Sequence, residues 1–347
     1  MESKKVPVFP RRVFGGANTS QGFVSYFDSL LRGCKKIFIL KGSPGSGKST
    51  LMRAVSEKVL KNGEDYTEII CSADTGSLDG VILHGRGAAI VDGTAPHAMD
   101  AVYPLARERI INLGDCLDAG RLFERREEII SLCRRKACLY KEAYALLSAI
   151  AALRSAAFER ISSVCNQAKI EAFAKRFCRR VHGGEGAQAV MPVCAFTADG
   201  LCVLSDYGAE EIISVNDLFY ASALLTGAVK RQAEKEGIPF VYSPDAIMPD
   251  RVYSIYFPNA HLLLTSGAEG GRTIHMRRFA DTDKVGSVRG ACRLFSKGGR
   301  MLEEDAKSIF AQARGIHFEI EEHYVSCMDF EKANQLKDFV ISQIFSE

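Results

Sequence analysis

The sequence predicts an α/β protein made of two tandem three-layer domains, each with a mostly parallel sheet and a helical hairpin insertion or arm. Three observations predict it: a strand, glycine-rich loop and helix near residue 40, a second half that echoes the first, and long helical stretches. The chain has 347 residues, and single hydrophobic cores seldom exceed about 250–300 residues. We therefore expect two domains, residues 1–182 and residues 183–347.

The composition is that of an ordinary globular protein, with 47% hydrophobic and 25% charged residues. The net charge of +3 is too small to favour nucleic acid as a partner. Eleven cysteines without a CxxC pair exclude zinc-finger spacing and favour free thiols in a reducing cytoplasm. The first residues lack the apolar run of a signal peptide, and the longest apolar run, 143–153, is about half a membrane span. We expect a cytoplasmic protein with no membrane segment.

The segment ILKGSPGSGKST, residues 39–50, matches the GxxxxGK[ST] loop that wraps the phosphates of a nucleoside triphosphate. Glycines let successive backbone N–H groups turn inward at the positive end of the following helix. Lys48 is expected to neutralise the β and γ phosphates, and the Ser49 hydroxyl is expected to bind Mg²⁺. The residues predicted to contact the nucleotide are Gly42, Ser43, Pro44, Gly45, Ser46, Gly47, Lys48, Ser49 and Thr50.

The apolar run GAAIVDG, residues 87–93, contains an acid near its end and predicts a strand. Asp92 at the end of this strand is expected to hold Mg²⁺ through a water molecule. Gly93 follows, where ATPases of the AAA and ABC types place a glutamate that activates water. The sequence therefore does not favour a fast mechanical ATPase. Asp-Gly is also a turn signal, so a structural role for Asp92 stays open.

Two further carboxylates, Asp74 and Asp79, follow the strand-like run 66–71. Residues just past a strand end face the ligand crevice of an α/β sheet. Either acid could orient an attacking hydroxyl or water, or could hold Mg²⁺ through its bound water. We predict Lys48, Asp74 and Asp79 as catalytic residues. The alternative is that each aspartate only stabilises the loop. His97 follows another strand end and is either structural or part of the site.

Residues 121–182 contain no glycine or proline. One helix of this length would span about 90 Å, so we expect a helical hairpin with a break near Asn166. The second half predicts a comparable pair at about 300–327 and 330–345. These helices could form a coiled-coil-like arm, a lid or packing between the two halves.

The second half echoes the first in four segments that occur in the same order, which predicts an internal duplication. The matched positions are Thr19 with Thr197, Gly22 with Gly200, Asp74 with Asp245, Asp79 with Asp250, the run 109–115 with 276–281, and the helix N-caps Asn166 with Asp329.

The second copy lacks the residues that bind phosphate. Its segment 216–222, aligned with the glycine-rich loop, has no glycine and no lysine, and Thr265 stands at the place of Asp92. We predict a pseudo-domain that binds no nucleotide and completes the first site as a packing surface or lid. Arg277 and Arg278 are the arginines it could bring to the γ-phosphate, unless they are ordinary surface charges.

These segments resemble a family of duplicated bacterial P-loop proteins known only as ATPases or ATP-binding proteins. The resemblance rests on FGGANTSQGF, IFILKGSPGSGKSTLM, CSADTGSLDGVIL, IVDGTAPH and IINLGD, and it covers most of the chain. It implies a P-loop NTPase-like α/β fold that binds ATP, and it supplies no substrate. In that family the second repeat often keeps its own phosphate loop, so the departure here argues against a mechanism that needs two nucleotides.

Three functions agree with these patterns. The first is a Mg²⁺-dependent ATPase that acts as a conformational switch for a protein partner. The second is a kinase with a small molecule or nucleotide as phosphate acceptor, and the third is a non-hydrolysing ATP sensor. We expect an ATP-binding P-loop NTPase with ATPase activity, and the absence of a clear NKxD-type guanine motif favours ATP over GTP.

Overall fold

The computed structural model describes residues 10–183, 186–204, 207–267 and 270–346. Residues 1–9, on which the expected absence of a signal peptide depends, lie outside these ranges. Strands and helices alternate through the described part, which gives a mixed α/β fold. No helix in these ranges is both long enough and apolar enough to cross a bilayer.

Among the described residues, the first half of the chain contains eight strands and five helices, and the second half contains eight strands and three helices. The first half comprises β1 (Arg12–Phe14), β2 (Gly16–Thr19), β3 (Gly22–Ser25), α1 (Phe27–Leu30), β4 (Lys36–Lys41), α2 (Lys48–Lys61), β5 (Tyr66–Ile70), β6 (Leu78–Leu83), β7 (Ala88–Asp92), β8 (Glu108–Asn112), α3 (Ala119–Glu124), α4 (Arg126–Ser162) and α5 (Gln167–Arg180). The second half comprises β9 (Ala189–Val190), β10 (Cys194–Thr197), β11 (Gly200–Val203), β12 (Glu211–Asn216), α6 (Ser222–Lys235), β13 (Val241–Pro244), β14 (Val252–Phe257), β15 (Leu262–Thr265), β16 (Arg272–His275), α7 (Thr282–Val325) and α8 (Phe330–Phe345). The first half has two short helices, α1 and α3, that the second half lacks.

The two halves build six-stranded sheets of the same topology. The first sheet has the order β1-β5-β6-β7-β4-β8, and the second has the order β9-β13-β14-β15-β12-β16. In each sheet three neighbouring pairs are parallel and two are antiparallel, in the same sequence across the sheet. A register shift even recurs at the same place, between Ile69 and Ile70 and between Ser243 and Pro244. The second sheet therefore repeats the first strand for strand.

The strand β4 lies inside the first sheet because its side chains are apolar on both faces. Residues 37–40 are all buried, as expected for a strand covered by other elements on each side. The following helix α2 buries Leu51, Met52, Val55 and Val59 along one stripe, which packs it onto the same sheet. These two elements fix the position of the glycine-rich loop between them.

A third, antiparallel sheet joins the two halves. Its order is β11-β10-β2-β3, and Phe196 of β10 lies opposite Asn18 of β2. The matched threonines make the same turn in each hairpin: Thr19 Oγ1 donates to the carbonyl oxygen of Gly22 at 2.8 Å, and Thr197 Oγ1 donates to that of Gly200 at 3.0 Å. The match of these positions in the sequence therefore reflects the same local structure.

The long helices α4 and α7 pack side by side in opposite directions. Arg125 Nη1, just before α4, donates to Ser326 Oγ just after α7, and Arg154 Nη2 donates to Glu303 Oε1. The predicted break near Asn166 is confirmed, since its side chain accepts the N–H of Lys169 and caps α5. The arm is built from one helix of each half, and the hairpin predicted within each half is wrong.

The helix α7 begins at Thr282 and not near residue 300 as predicted. Five glycines at 286, 290, 298, 299 and 315 lie inside it and lower its intrinsic helix propensity. Packing against α4 overrides that propensity. A Cβ at Gly298 would lie 3.3 Å from a methyl carbon of Leu153, so small residues here let the two helices approach closely.

The helices that follow the arm are exchanged between the halves. In α5, Phe177 packs against Phe257 of the second sheet, with ring centroids 5.7 Å apart. In α8, Val340 and Ile344 belong to the core of the first sheet, together with Phe38. The predicted boundary at residues 182/183 stays a prediction, and side-chain packing crosses it in both directions.

We expect Ile344→Ala to lower the free energy of unfolding by about 2–4 kcal/mol, because the side chain is 5% exposed and its loss leaves a cavity in the core of the first sheet. The exposed Asp338 on the same helix provides a control, and Asp338→Ala should change that free energy by less than about 0.5 kcal/mol. Urea unfolding followed by circular dichroism measures both. Equal small effects of the two substitutions would contradict the docking of α8 on the first sheet.

Candidate functional site

The glycine-rich loop, residues 42–47, curls tightly between β4 and α2. Gly45 and Gly47 have φ angles of +74° and +84°, in the left-handed region that glycine adopts without strain. A Cβ at Gly42 would lie 2.5 Å from Ser46 Oγ, which itself donates to the carbonyl oxygen of Ser43 at 2.8 Å. The loop therefore needs its glycines, and it ends at the N-terminus of α2, where the helix dipole favours negative charge.

Lys48, the first residue of α2, extends back into the loop. Its Nζ donates to the carbonyl oxygens of Gly42 at 2.6 Å and Ser43 at 2.8 Å, and it lies 3.6 Å from Asp92 Oδ2. Asp92 Oδ1 accepts the N–H and the hydroxyl of Thr94, at 2.8 and 2.6 Å. Asp92 thus forms the turn that its Asp-Gly sequence indicated, while its second oxygen faces the lysine.

Asp79 lies directly beside Asp92 because of the sheet register. In the antiparallel pair β6 and β7, Gly80 is opposite Val91, so the next pair of positions brings the two aspartates together. Asp79 is a buried strand residue and not the rim-loop residue that was predicted. Burial, followed by the negative charge of Asp92, raises the pKa of Asp79 to about 7, and the Cys71 thiol and Lys48 oppose this shift.

His97 completes a compact group with these two acids. Its Nε2 lies 4.0 Å from Asp79 Oδ1, and its ring packs against Phe27 and Phe23 with centroids 5.2 and 6.2 Å away. Within the described ranges, neither ring nitrogen has a hydrogen-bond partner, although the residue is only 8% exposed. One donor atom from each of the three side chains lies within 4.8 Å of the others.

The remaining predicted site residues have different surroundings. Asp74 uses both oxygens in its own turn, where Oδ1 accepts the N–H of Gly76 and Oδ2 accepts the Ser77 hydroxyl at 2.6 Å. This geometry agrees with the turn-forming alternative for Asp74. Ser49 Oγ accepts the N–H of Leu78 at 3.0 Å and so ties α2 to the start of β6. Thr50 is exposed.

The C-terminal part of α7 covers the glycine-rich loop. A Cβ at Gly45 would lie 2.6 Å from Val325 Cγ2 and 3.0 Å from Glu321 Cγ, so this helix of the second half packs directly on the loop. Burial, followed by the charge of Asp74, raises the pKa of Glu321, while Lys48 lowers it. The site is therefore composite, with the loop from one half and its cover from the other.

The arm also brings basic residues to this region. Lys136 Nζ of α4 lies 3.4 Å from His317 Nδ1 of α7. Burial, followed by the charge of Lys136, lowers the pKa of His317 to about 4; Asp74 opposes this shift and Lys48 adds to it. Arg314 forms a two-bond ion pair with Asp199. No local motif marks these arm residues, which is why the sequence did not indicate them.

The predicted arginines lie elsewhere. Arg277 and Arg278 precede the N-terminus of α7, whereas the loop contacts its C-terminal residue Val325. One helix of 44 residues separates these ends by about 60 Å. The prediction that these two arginines reach the γ-phosphate is therefore wrong.

In the second half, the segment that corresponds to the glycine-rich loop binds its own N–H groups with the side chain of Asp217. The Asp217 carboxylate accepts the N–H groups of Tyr220 at 2.6 Å and Ser222 at 2.8 Å. Phe219 and Tyr220 have positive φ angles of +53° and +71°, which are costly for non-glycine residues. The connection from β12 to α6 is also one residue shorter than that from β4 to α2. The Asp217 carboxylate thus accepts hydrogen bonds from the N–H groups of this segment.

The sheet registers correct one matched position in the second half. Val91 lies opposite Gly80 in the first sheet, and Thr265 lies opposite Ser254 in the second. Thr265 therefore corresponds to Val91, and the place of Asp92 belongs to Ser266.

The predicted match of Asp74 and Asp79 with Asp245 and Asp250 is also wrong. The irregular pair Ile70 and Leu78 corresponds to Pro244 and Val252, which shifts the alignment by three residues. Tyr253 then occupies the place of Asp79, so the acidic pair is not repeated.

Comparison with family models, with curated proteins and with solved structures finds no match for this chain. The chemistry of the site therefore rests on its own geometry.

Protonation of His317 should destabilise the protein. Because its folded pKa of about 4 lies below the ordinary value near 6.5, the unfolded state binds more protons as the pH falls. We expect His317→Gln to remove about 2–3 kcal/mol of the stability that the wild type loses between pH 7 and pH 4. Urea unfolding at several pH values measures this difference.

Two other histidines set the controls for this measurement. Burial also lowers the pKa of His84 to about 4, so part of the pH dependence should remain in the His317 variant. His182 is exposed, and His182→Gln should leave the profile unchanged. A His317 variant with the full wild-type pH dependence would contradict this account.

Proposed function

We propose that this chain is a Mg²⁺-dependent P-loop NTPase that binds one ATP at the glycine-rich loop and hydrolyses it slowly. In this proposal, ATP changes the contact between the loop and the arm of α4 and α7. The observation that carries the proposal is the position of Lys48, held inside a glycine-dependent loop, beside Asp92 and beneath α7. We further propose a P-loop NTPase-like fold for the first sheet and its helices.

The loop residues fit a triphosphate. The N-terminus of α2 and its preceding amides favour an anion, and the Lys48 ammonium has only backbone carbonyls and Asp92 as described partners. Phosphate oxygens can replace these carbonyls as acceptors for Nζ. The buried Ser43 hydroxyl has no hydrogen-bond partner in the described part of the chain, so it is another donor for a ligand.

Ser49 and Asp92 are the residues that would hold Mg²⁺. Ser49 Oγ accepts only the N–H of Leu78 in the described contacts and keeps a lone pair, and Asp92 Oδ2 faces the loop. A bound Mg²⁺ supplies positive charge to the phosphates. The side chains of Ser49 and Asp92 would hold it between the end of β7 and the start of α2.

The environment of Gly93 supports slow hydrolysis. A Cβ at this position would lie 2.3 Å from Ile39 Cγ2. A glutamate after Asp92, as in the AAA and ABC ATPases, therefore does not fit unless the Ile39 side chain is displaced. Asp74 is held in its own turn, and Asp79 is buried, so neither is a free carboxylate that could activate water at the rim.

The contact of α7 with Gly45 supports the role as a switch. A phosphate bound inside the loop would change the partners of Lys48 and the charges that face Glu321 and His317. Both groups lie on the same helix, and that helix runs back to the second half. The proposal includes a protein partner that binds one position of the arm and not the other. The cytoplasmic location stays a prediction. Eleven free cysteines are typical of a reducing compartment.

The kinase and the ATP sensor remain alternatives. A kinase needs space for an acceptor beside the γ-phosphate, and the packing of Val325 and Glu321 on Gly45 reduces the space beside the loop. A sensor would bind ATP and release no phosphate. Incubation with Mg-ATP, alone and with a pool of metabolites, separates the three: phosphate release indicates the ATPase, a phosphorylated metabolite indicates the kinase, and neither indicates the sensor.

Lys48→Ala should weaken Mg-ATP binding at least tenfold, because it removes the cation that faces the phosphates. Lys61, at the exposed end of the same helix, is the matched control, and Lys61→Ala should bind within twofold of the wild type. Isothermal titration calorimetry measures the affinity and the stoichiometry, for which we expect one ATP per chain. Unchanged affinity in the Lys48 variant would refute the loop assignment, and two equivalent sites would refute the single-site proposal.

Saturating Mg-ATP should change amide hydrogen exchange in α7 between residues 314 and 325, since this segment packs on the loop. The N-terminal part of α7, residues 282–295, ends about 28 Å before residue 314 along the helix and is the internal control. The Lys48→Ala variant should show no change under the same conditions. If ATP binds but the exchange of residues 314–325 stays the same, the switch proposal fails while the binding proposal stands.

A further inference from the structure

We propose that Asp79, Asp92 and His97 form a binding site for a divalent transition-metal ion, and that this site does not require a nucleotide. The expected ligands are one carboxylate oxygen from each aspartate and one ring nitrogen of the histidine. Mn²⁺, Fe²⁺, Co²⁺ and Zn²⁺ belong to the class that accepts such a mixed set of nitrogen and oxygen ligands.

The distances between the three side chains are close to those of a metal site. Their donor atoms lie within 4.8 Å of one another, and the sheet register fixes the two aspartates on adjacent strands. Two ligands about 2.1 Å from one ion lie at most about 4.2 Å apart. A side-chain movement of less than about 1 Å therefore brings all three to bonding distance.

The surroundings of His97 are the second observation that indicates a ligand. Its ring is buried, and neither nitrogen has a hydrogen-bond partner among the described residues. An unsatisfied buried polar atom is unfavourable and rare in folded proteins. Phe27 and Phe23 hold the ring, while Nε2 lies 4.0 Å from Asp79 Oδ1. A metal ion bound between these atoms would satisfy the nitrogen.

The charges agree with a cation at this place. Asp79 and Asp92 are two buried acids next to each other, and Lys48 is the cation that contacts Asp92, at 3.6 Å. A divalent ion stabilises such a pair more than a single ammonium group beside one member. The remaining coordination positions would be filled by water.

This site differs from the proposed Mg²⁺ site of the nucleotide. Mg²⁺ prefers oxygen ligands and would use Ser49 together with the phosphates. The transition-metal site uses His97 and Asp79 and does not include Ser49. Asp92 is common to both, so the two sites are separated by substitutions at the other residues.

The experiment is a titration of the full chain with Co²⁺ in the absence of nucleotide, followed by calorimetry and by visible absorption. We expect one Co²⁺ per wild-type chain. His97→Phe retains an aromatic ring against Phe23 and Phe27, and it should weaken binding at least tenfold, as should Asp79→Asn. Ser49→Ala and the exposed-histidine variant His182→Phe should bind Co²⁺ within twofold of the wild type.

Several outcomes would overturn the proposal. One is a His97→Phe protein with wild-type Co²⁺ affinity, and another is an equal loss of binding in Ser49→Ala, which would assign the ion to the Mg²⁺ site. If the buried substitutions prevent folding, the wild type alone decides: electron spin-echo spectra with bound Mn²⁺ should show coupling to a histidine nitrogen. Absence of that coupling would refute the site. Because no nucleotide is added, failure of ATP binding and failure of this site are distinguishable.

Discussion

The packing of α4 against α7 is the constraint on which the rest of the structure depends. Each long helix starts in its own half and ends beside the other, because the two run antiparallel over most of their length. The helices that follow, α5 and α8, then complete the core of the opposite sheet. The same geometry places the end of α7 on the glycine-rich loop. The composition of the site and the exchange of helices are therefore two results of one packing arrangement.

The two long helices of the arm have equivalent positions in the two halves of the sequence, but the side chains at these positions differ. Asn166 and Asp329, which cap α5 and α8, lie 163 residues apart, and so do Arg154 and His317. Arg154 lies 3.6 Å from Asp245 and above the Tyr220 ring in the second half. Its counterpart His317 lies near Lys136 in the first half. The second half thus receives an arginine that is paired with acids, and the first half receives a histidine whose pKa lies below its ordinary value.

Much of the fold and the centre of the site could be predicted from the sequence. The strand–loop–helix pattern predicted the position of Lys48 at the start of α2, and the shared turn of Thr19 and Thr197 was visible as a sequence match, because local chemistry determines both. The pairing of Asp79 with Asp92 depends on the register between strands, which no local pattern encodes. The positions of Arg277 and Arg278 depend on the path of a 44-residue helix. Errors therefore arose where long-range geometry decides.

The exchange of helices has a consequence for the order of folding during synthesis. The strands of the first sheet leave the ribosome early, yet the core that contains Phe38 is covered only in part, by α2, until Val340 and Ile344 of α8 have been made. The first half must therefore wait for most of the chain, with apolar surface exposed to aggregation or to chaperones. Folding of the two halves is coupled in time as well as in space, and a growing chain has no point at which the first half can finish alone.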